Sequence, residues 1–153
     1  MPIIVFFVEA EEERLSQVIY NILDNAFKFT DADGSVVVTL EKQQVLQPQQ
    51  GEHIEKGQRE QEQKQKQKQE QKHAVITIKD TGTGIHPEIF PRLFSKFATK
   101  SHRGTGLGLY ISKNIIEAHD GKLYATNNTD GKGATFSVVL PLVGRFHETI
   151  FTG

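Results

Sequence analysis

Four segments of the chain carry residues whose types and spacing could do chemistry. The first is Asn21, Asn25 and Lys28, where spacings of four and three residues put all three side chains on one helical face. Two amides and an ammonium so arranged can bind a phosphate chain with its magnesium, amide oxygens facing metal and the cation facing phosphate. A solvated outer helix face uses the same residues. The second segment is Asp80-Thr81-Gly82-Thr83-Gly84-Ile85, directly after a strand-like run. A carboxylate at a strand end followed by two glycines gives a fixed acceptor beside a backbone that can approach a flat ligand closely. Acceptance from an exocyclic amine is the adenine type of recognition; an ordinary strand-to-loop turn is the plain alternative. The third is Gly104-Thr105-Gly106-Leu107-Gly108-Leu109, opening a helix whose free backbone N–H groups favour anions. The fourth, Gly131-Lys132-Gly133-Ala134-Thr135-Phe136, reads equally well as a site element or as a tight turn entering a strand.

The elements that must position these segments follow from periodicity. Residues 3–8 form a strand candidate. Leu15, Val18, Ile19, Ile22, Leu23, Ala26 and Phe29 recur at helical spacing, which predicts a helix over 11–29 with acidic residues in its first turn. Asp33-Gly34 marks a turn, and alternation predicts strands over 36–41 and 74–79. A short helix from about Pro87, a flexible stretch over 95–104 and a helix over 105–119 come next, with Gly121 at the helix C-terminal glycine position. Strands over 123–127 and 135–140 complete an α+β pattern. The expected fold is a two-layer sandwich, a mixed sheet covered on one face by three helices.

Composition narrows the function classes. The 153 residues suit one domain spanning 1–153. A net charge of −1 gives no reason to expect nucleic acid or an anionic membrane as partner. With no cysteine there can be no disulfide, thiol nucleophile or cysteine-ligated metal. The longest purely apolar run, Ile3 to Val8, is six residues, against the ~20 that a membrane span requires. Residues 47–72 are mostly Gln, Glu and Lys with Ile54 as their one large apolar residue, and read as a solvated low-complexity insertion in a hairpin loop. A Rossmann fingerprint is excluded because no strand precedes the Gly104 loop, and no GxxxxGK[ST] phosphate loop occurs.

Each segment is a weak signal alone, but together and in this order they are specific. The runs RLSQVIYNILDNAFKFT, DTGTGI, IFPRLFSKFATKS, GTGLGLYISKNIIEAHDGKL and GATFSVVLPL resemble the ATP-binding catalytic domain of sensor histidine kinases, within the superfamily shared with gyrase, Hsp90 and MutL ATPases. The resemblance covers about residues 8–142 apart from the insertion. It implies a Bergerat-type fold that binds ATP and Mg2+ and donates the γ-phosphoryl group to a histidine on a separate dimerisation domain, with a response regulator beyond it. The alternatives are an ATPase or serine-directed kinase of the same superfamily, or a non-catalytic nucleotide-sensing or docking module. A cytoplasmic, monomeric domain is implied, without membrane contact of its own but compatible with a membrane-anchored parent.

Carried onto this sequence, the resemblance makes Asn25 the metal ligand, with Asn21 in the same metal–phosphate assembly, Lys28 on phosphate and Phe29 facing adenine. Asp80 becomes the acceptor for the adenine amine, Gly82, Gly84 and Ile85 shape the pocket wall, and Thr135 supports Asp80. Gly104, Thr105, Gly106, Leu107 and Gly108 form the hinge of a lid whose Lys100, His102 and Arg103 approach the phosphates. Phe90, Leu93, Phe94 and Phe97 match an aromatic cluster under that lid, where plain core packing accounts for at least two of them. ATPases of the superfamily carry a water-activating Glu four residues before the metal-binding Asn; here that residue is Asn21, which cannot remove a proton. None of His53, His73, His86, His102, His119 and His147 has the sequence surroundings of a phosphoryl acceptor, so the isolated domain is expected not to phosphorylate itself. Replacing residues 47–72 by a short turn is expected to leave one cooperative thermal transition and ATP affinity unchanged; loss of the transition would make the segment structural.

Overall fold

The computed structural model describes residues 5–45, 71–98 and 105–143. Helix α1 spans Glu12–Phe29, strands β1 and β2 Val36–Val45 and Gln71–Asp80, helix α2 Gly108–Ala118, and strands β3 and β4 Lys122–Asn127 and Ala134–Pro141. The four strands form one sheet in the order β1-β2-β4-β3.

α1 forms where the apolar period dictates. Val18 and Ile22 are fully buried and Ala26 nearly so, while Glu12 and Glu13 lie at its positive end and Lys28 at its negative end. Its last turn closes when the Thr30 hydroxyl donates to the Ala26 carbonyl at 2.6 Å. The buried faces of α1 and α2 meet one face of the sheet, so that Val18, Ile22, Ile116, Ile78, Val138 and Leu140 make a continuous core. The opposite sheet face presents Thr39, Thr77, Ser137 and Tyr124.

The α+β two-layer class is as expected, while five details differ. Every neighbouring strand pair is antiparallel, so the described sheet is not mixed. The crossover through α2 does bring in β3 parallel to β2, but β4 inserts between them and runs antiparallel to both. The helix expected from Pro87 is one 3-10 turn, Phe90–Arg92, among the described residues. Pro91 lies one turn into that expected helix and has no N–H to give the Pro87 carbonyl, so the ladder stops there. The second helix starts at Gly108 rather than Thr105, because Gly106 has φ +67°, outside helical conformation. The first strand is represented by a single bridge, Val8 to Leu142, with residues 1–4 outside the described set. The insertion lies outside the described residues except for Gln71 and Lys72, which belong to β2, paired with Val45 and Gln44.

The end of α2 revises the role of Gly121. The left-handed residue is Asp120, φ 55°, a conformation Asp tolerates better than most side chains. Gly121 donates to the Ile116 carbonyl at 2.9 Å and lies against β4, where an added Cβ would stand 2.5 Å from the Val139 carbonyl oxygen. It is glycine for close approach, not for handedness. Gly121→Ala is therefore expected to destabilise the fold by about 1–3 kcal/mol, read as a thermal midpoint several degrees lower; an unchanged midpoint would show that α2 can shift away from β4 freely.

A candidate nucleotide site between α1 and the glycine loops

A cavity of about 590 Å³ opens between the C-terminal half of α1, the loop after β2, Ile89 and Leu93, and the start of α2. At its inner end lies Asp80, the last residue of β2 and only 4% exposed. Its Oδ1 accepts the Gly82 N–H at 2.8 Å and the Ala134 N–H at 3.2 Å. Both donors converge on one oxygen, and among the described residues none donates to Oδ2, which is left to a donor entering the cavity. Buried carboxylates are tolerable only when hydrogen-bonded in this way.

The glycines near Asp80 are there for contact. An added Cβ on Gly82 would stand 2.2 Å from the Phe29 carbonyl oxygen, and one on Gly133 2.0 Å from the Asp80 carbonyl oxygen. Gly133 also has φ +99° and Gly84 φ +75°, which side-chain-bearing residues rarely adopt. Behind Asp80, Thr135 donates to Asn128 Oδ1 at 2.7 Å, and Asn128 Nδ2 donates to the Asp80 carbonyl at 2.7 Å. Thr135 thus reaches the Asp80 backbone through an amide rather than directly. The turn between β3 and β4 is tied outside by Lys79 Nζ, 2.6 Å from Asp130 Oδ2, a hydrogen bond and charge that hold the Asp130 carboxyl below its ordinary range.

Along the other side, Asn21, Asn25 and Lys28 line the cavity together, the one helical face that their spacing predicts, and Phe29, expected there from the resemblance, lines it too. Asn21 is committed to packing: its Nδ2 donates to the Gly108 carbonyl at 3.3 Å and to Ser112 Oγ at 3.2 Å, joining α1 to α2. The Asn25 amide makes no hydrogen bond to any described residue. Lys28 Nζ lies 5.8 Å from the Phe29 ring centroid, within reach of the cavity.

Of the remaining sequence-predicted residues, Gly84, Ile85, Thr105, Gly106 and Gly108 line the cavity, whereas Gly82, Leu107 and Thr135 do not. Lys100, His102, Arg103 and Gly104 lie outside the described residues. In the aromatic cluster, Leu93 is buried and Phe94 packs on the core, while Phe90 and Phe97 are exposed. Sequence reasoning missed Asp24, Thr83, His86, Ile89, Leu109, Ala134 and Phe136 as lining residues. Asp24 had a signal, since it adjoins Asn25 on the same helix; Ala134 and Phe136 carried only strand alternation. Chemically, an apolar wall of Ile85, Ile89, Leu93 and Phe136 with one fixed carboxylate acceptor suits a flat ring bearing an amine. The amides and ammonium of α1 suit an anionic tail.

The family described as histidine kinase-, DNA gyrase B- and HSP90-like ATPase matches residues 10–144. Hybrid signal transduction histidine kinase D of Dictyostelium discoideum is 31% identical over 142 residues, 89% of this chain and 9% of that protein. The mycobacterial sensor histidine kinase MprB superposes with a TM-score of 0.66 at 26% identity, covering 94% of this chain and 82% of the solved one. Full-length ShkA in complex with AMPPNP gives a TM-score of 0.62 at 27% identity, covering 97% of this chain and 25% of that one. This chain thus spans under a tenth of the length of the curated relative. A match this extensive, on a sheet and helix pair that bring Asp80, Asn25 and the glycine segments around one cavity, makes the chain a member of the histidine kinase-, DNA gyrase B- and HSP90-like ATPase family, an ATP-binding domain of the histidine kinase type.

Proposed function

We propose that the chain binds Mg-ATP in this cavity and donates the γ-phosphoryl group to a histidine on a separate dimerisation domain, which in turn serves a response regulator. The observation that carries the reading is the Asp80 carboxylate, buried at the inner end of the cavity with Oδ1 saturated by two backbone N–H groups and Oδ2 left for a donor. Adenine offers such a donor in its exocyclic amine. Phe29, at the cavity edge, faces the ring, and Gly84 and Ile85 form the wall along it.

The donor set fits magnesium. This ion keeps several waters and takes few protein ligands besides substrate phosphates, so one uncommitted amide oxygen, that of Asn25, is an adequate protein contribution. Held by Asn25, magnesium would supply neutralisation of the phosphate charge. Lys28 adds a cation on the same helix face. Lys100, His102, Arg103 and the Gly104–Gly108 loop complete the phosphate side of the proposal. Asn21 has no proton-accepting carboxylate and cannot act as a base toward water. Positioning and charge neutralisation then dominate catalysis, and the attacking nucleophile comes from the partner domain. The domain works in the cytoplasm as a monomeric unit of a larger kinase.

Three measurements test this reading. Titration with ATP, with and without magnesium, is expected to show magnesium-dependent binding with negligible phosphate release; sustained release would move the chain to the ATPase branch. Asn25→Ala should abolish the magnesium-dependent increment in affinity while leaving metal-free binding nearly unchanged, and an intact increment would remove Asn25 as the ligand. Asp80→Asn keeps an oxygen for the two backbone donors but sets an NH2 where the adenine amine needs an acceptor. The expected weakening is about 10- to 100-fold in Kd, on the order of 1.5–3 kcal/mol; ATP affinity equal to that of the parent chain would sink the adenine assignment.

A further inference from the structure

We propose that Asn127 is a positioning residue for the nucleotide site, clamping the Gly84–Ile85 wall onto the end of β3; the inference rests on the nucleotide reading above. Asn127 is the last residue of β3 and is itself exposed. Its side chain nevertheless makes two hydrogen bonds to one residue 42 positions away: Oδ1 accepts the Ile85 N–H at 2.7 Å, and Nδ2 donates to the Ile85 carbonyl at 3.0 Å. The pair reproduces the two-bond exchange between opposed residues of an antiparallel ladder, with a side-chain amide in place of a strand. Ile85 lies outside every strand, and its residue forms part of the cavity lining.

The neighbouring backbone is shaped around the clamp. Gly84 has φ +75°, and an added Cβ there would stand 2.9 Å from Asn127 Oδ1 and 3.3 Å from the Gly133 carbonyl oxygen. The glycine therefore lets the loop come down onto the amide. Other parts of the same loop are tied elsewhere, Thr81 to the Ser35 carbonyl and Thr83 to the Phe29 carbonyl. Those ties hold the α1 side of the loop, while Asn127 holds the β3 side. The residue is chemically specific: an amide presents one acceptor and one donor to a peptide group, whereas a carboxylate would set an oxygen against the Ile85 carbonyl.

The test uses the full chain with ADP as ligand. Asn127→Ala is expected to raise the Kd for ADP by about 10-fold, the effect of two modest hydrogen bonds on a loop that must then be ordered by the ligand. The loss should be the same with and without magnesium, because the wall contacts the base and not the phosphates. Amide exchange at Ile85 in the ligand-free protein should accelerate about 10-fold or more, while amides of Ile22 and Ile116 and the thermal midpoint stay at parent values. Unchanged Ile85 exchange with parent ADP affinity overturns the clamp. A general fall in core protection with the affinity loss also overturns it, since that outcome is simple destabilisation. Failure of the parent chain itself to bind ADP would instead overturn the nucleotide reading, a result distinct from both.

Discussion

A single buried carboxylate organises the ligand end of this domain. Asp80 is 4% exposed and its Oδ1 draws in the N–H groups of Gly82 and Ala134. An ionised carboxylate left unpaired in such a setting costs several kcal/mol, so the loop after β2 and the first residue of β4 fold toward it rather than toward solvent. Steric consequences follow. The chain can make that approach only with glycine at 82 and 133, where a Cβ would overlap the carbonyl oxygens of Phe29 and Asp80. The charge and the glycines around it are one device: the glycines bring donors to the charge, and the charge fixes the turn geometry that the glycines permit.

The helical layer is held by polar contacts at both ends of an apolar seam. At the cavity end, Asn21 bridges to Gly108 and Ser112. At the far end, the Glu11 N–H donates to His119 Nε2 at 3.1 Å, and His119 Nδ1 lies 2.7 Å from the Ile115 carbonyl. An acceptor is required at Nε2 and a donor at Nδ1, which sets the ring proton on Nδ1. Between these links Val18, Ile22 and Ile116 are excluded from water altogether. The seam supplies most of the attraction and the polar ends fix register, because a shift along the helix axis would unpair Ser112, which is fully buried.

Much of this was legible in the sequence because it rests on period and steric necessity. The 3.6-residue apolar stripe of α1 fixes which face carries Asn21, Asn25 and Lys28, and alternation marks the β1–β2 and β3–β4 strands. What was not legible depends on long-range placement. No local signal says that β4 inserts between β2 and β3, so the sheet reads as mixed until its order is known. Pro91 limits to one 3-10 turn a helix that the surrounding apolar residues extend by pattern. Gly121 looks like a left-handed cap by position, yet Asp120 takes that conformation and Gly121 answers to a β4 carbonyl. Asn127 reads only as the end of a strand and Asn128 lies outside every predicted element, while their amides reach Ile85 and Asp80.

The identity of residue 21 joins the packing to the chemistry. The resemblance sets residue 21 where the superfamily's water-activating members carry Glu, and an amide there cannot accept a proton. The contacts of Asn21 show that the exchange is not confined to the active side of the helix. Its Nδ2 faces the Gly108 carbonyl oxygen and Ser112 Oγ, so the position requires a donor toward α2. A carboxylate in the same place would set negative oxygen against a carbonyl at the start of α2, an electrostatic conflict in a partly buried setting. Installing a base at 21 would therefore demand a different seat for Gly108, and with it a different start for the helix that follows the glycine loop. The lack of a carboxylate at position 21 and the anchoring of that helix are two consequences of one amide.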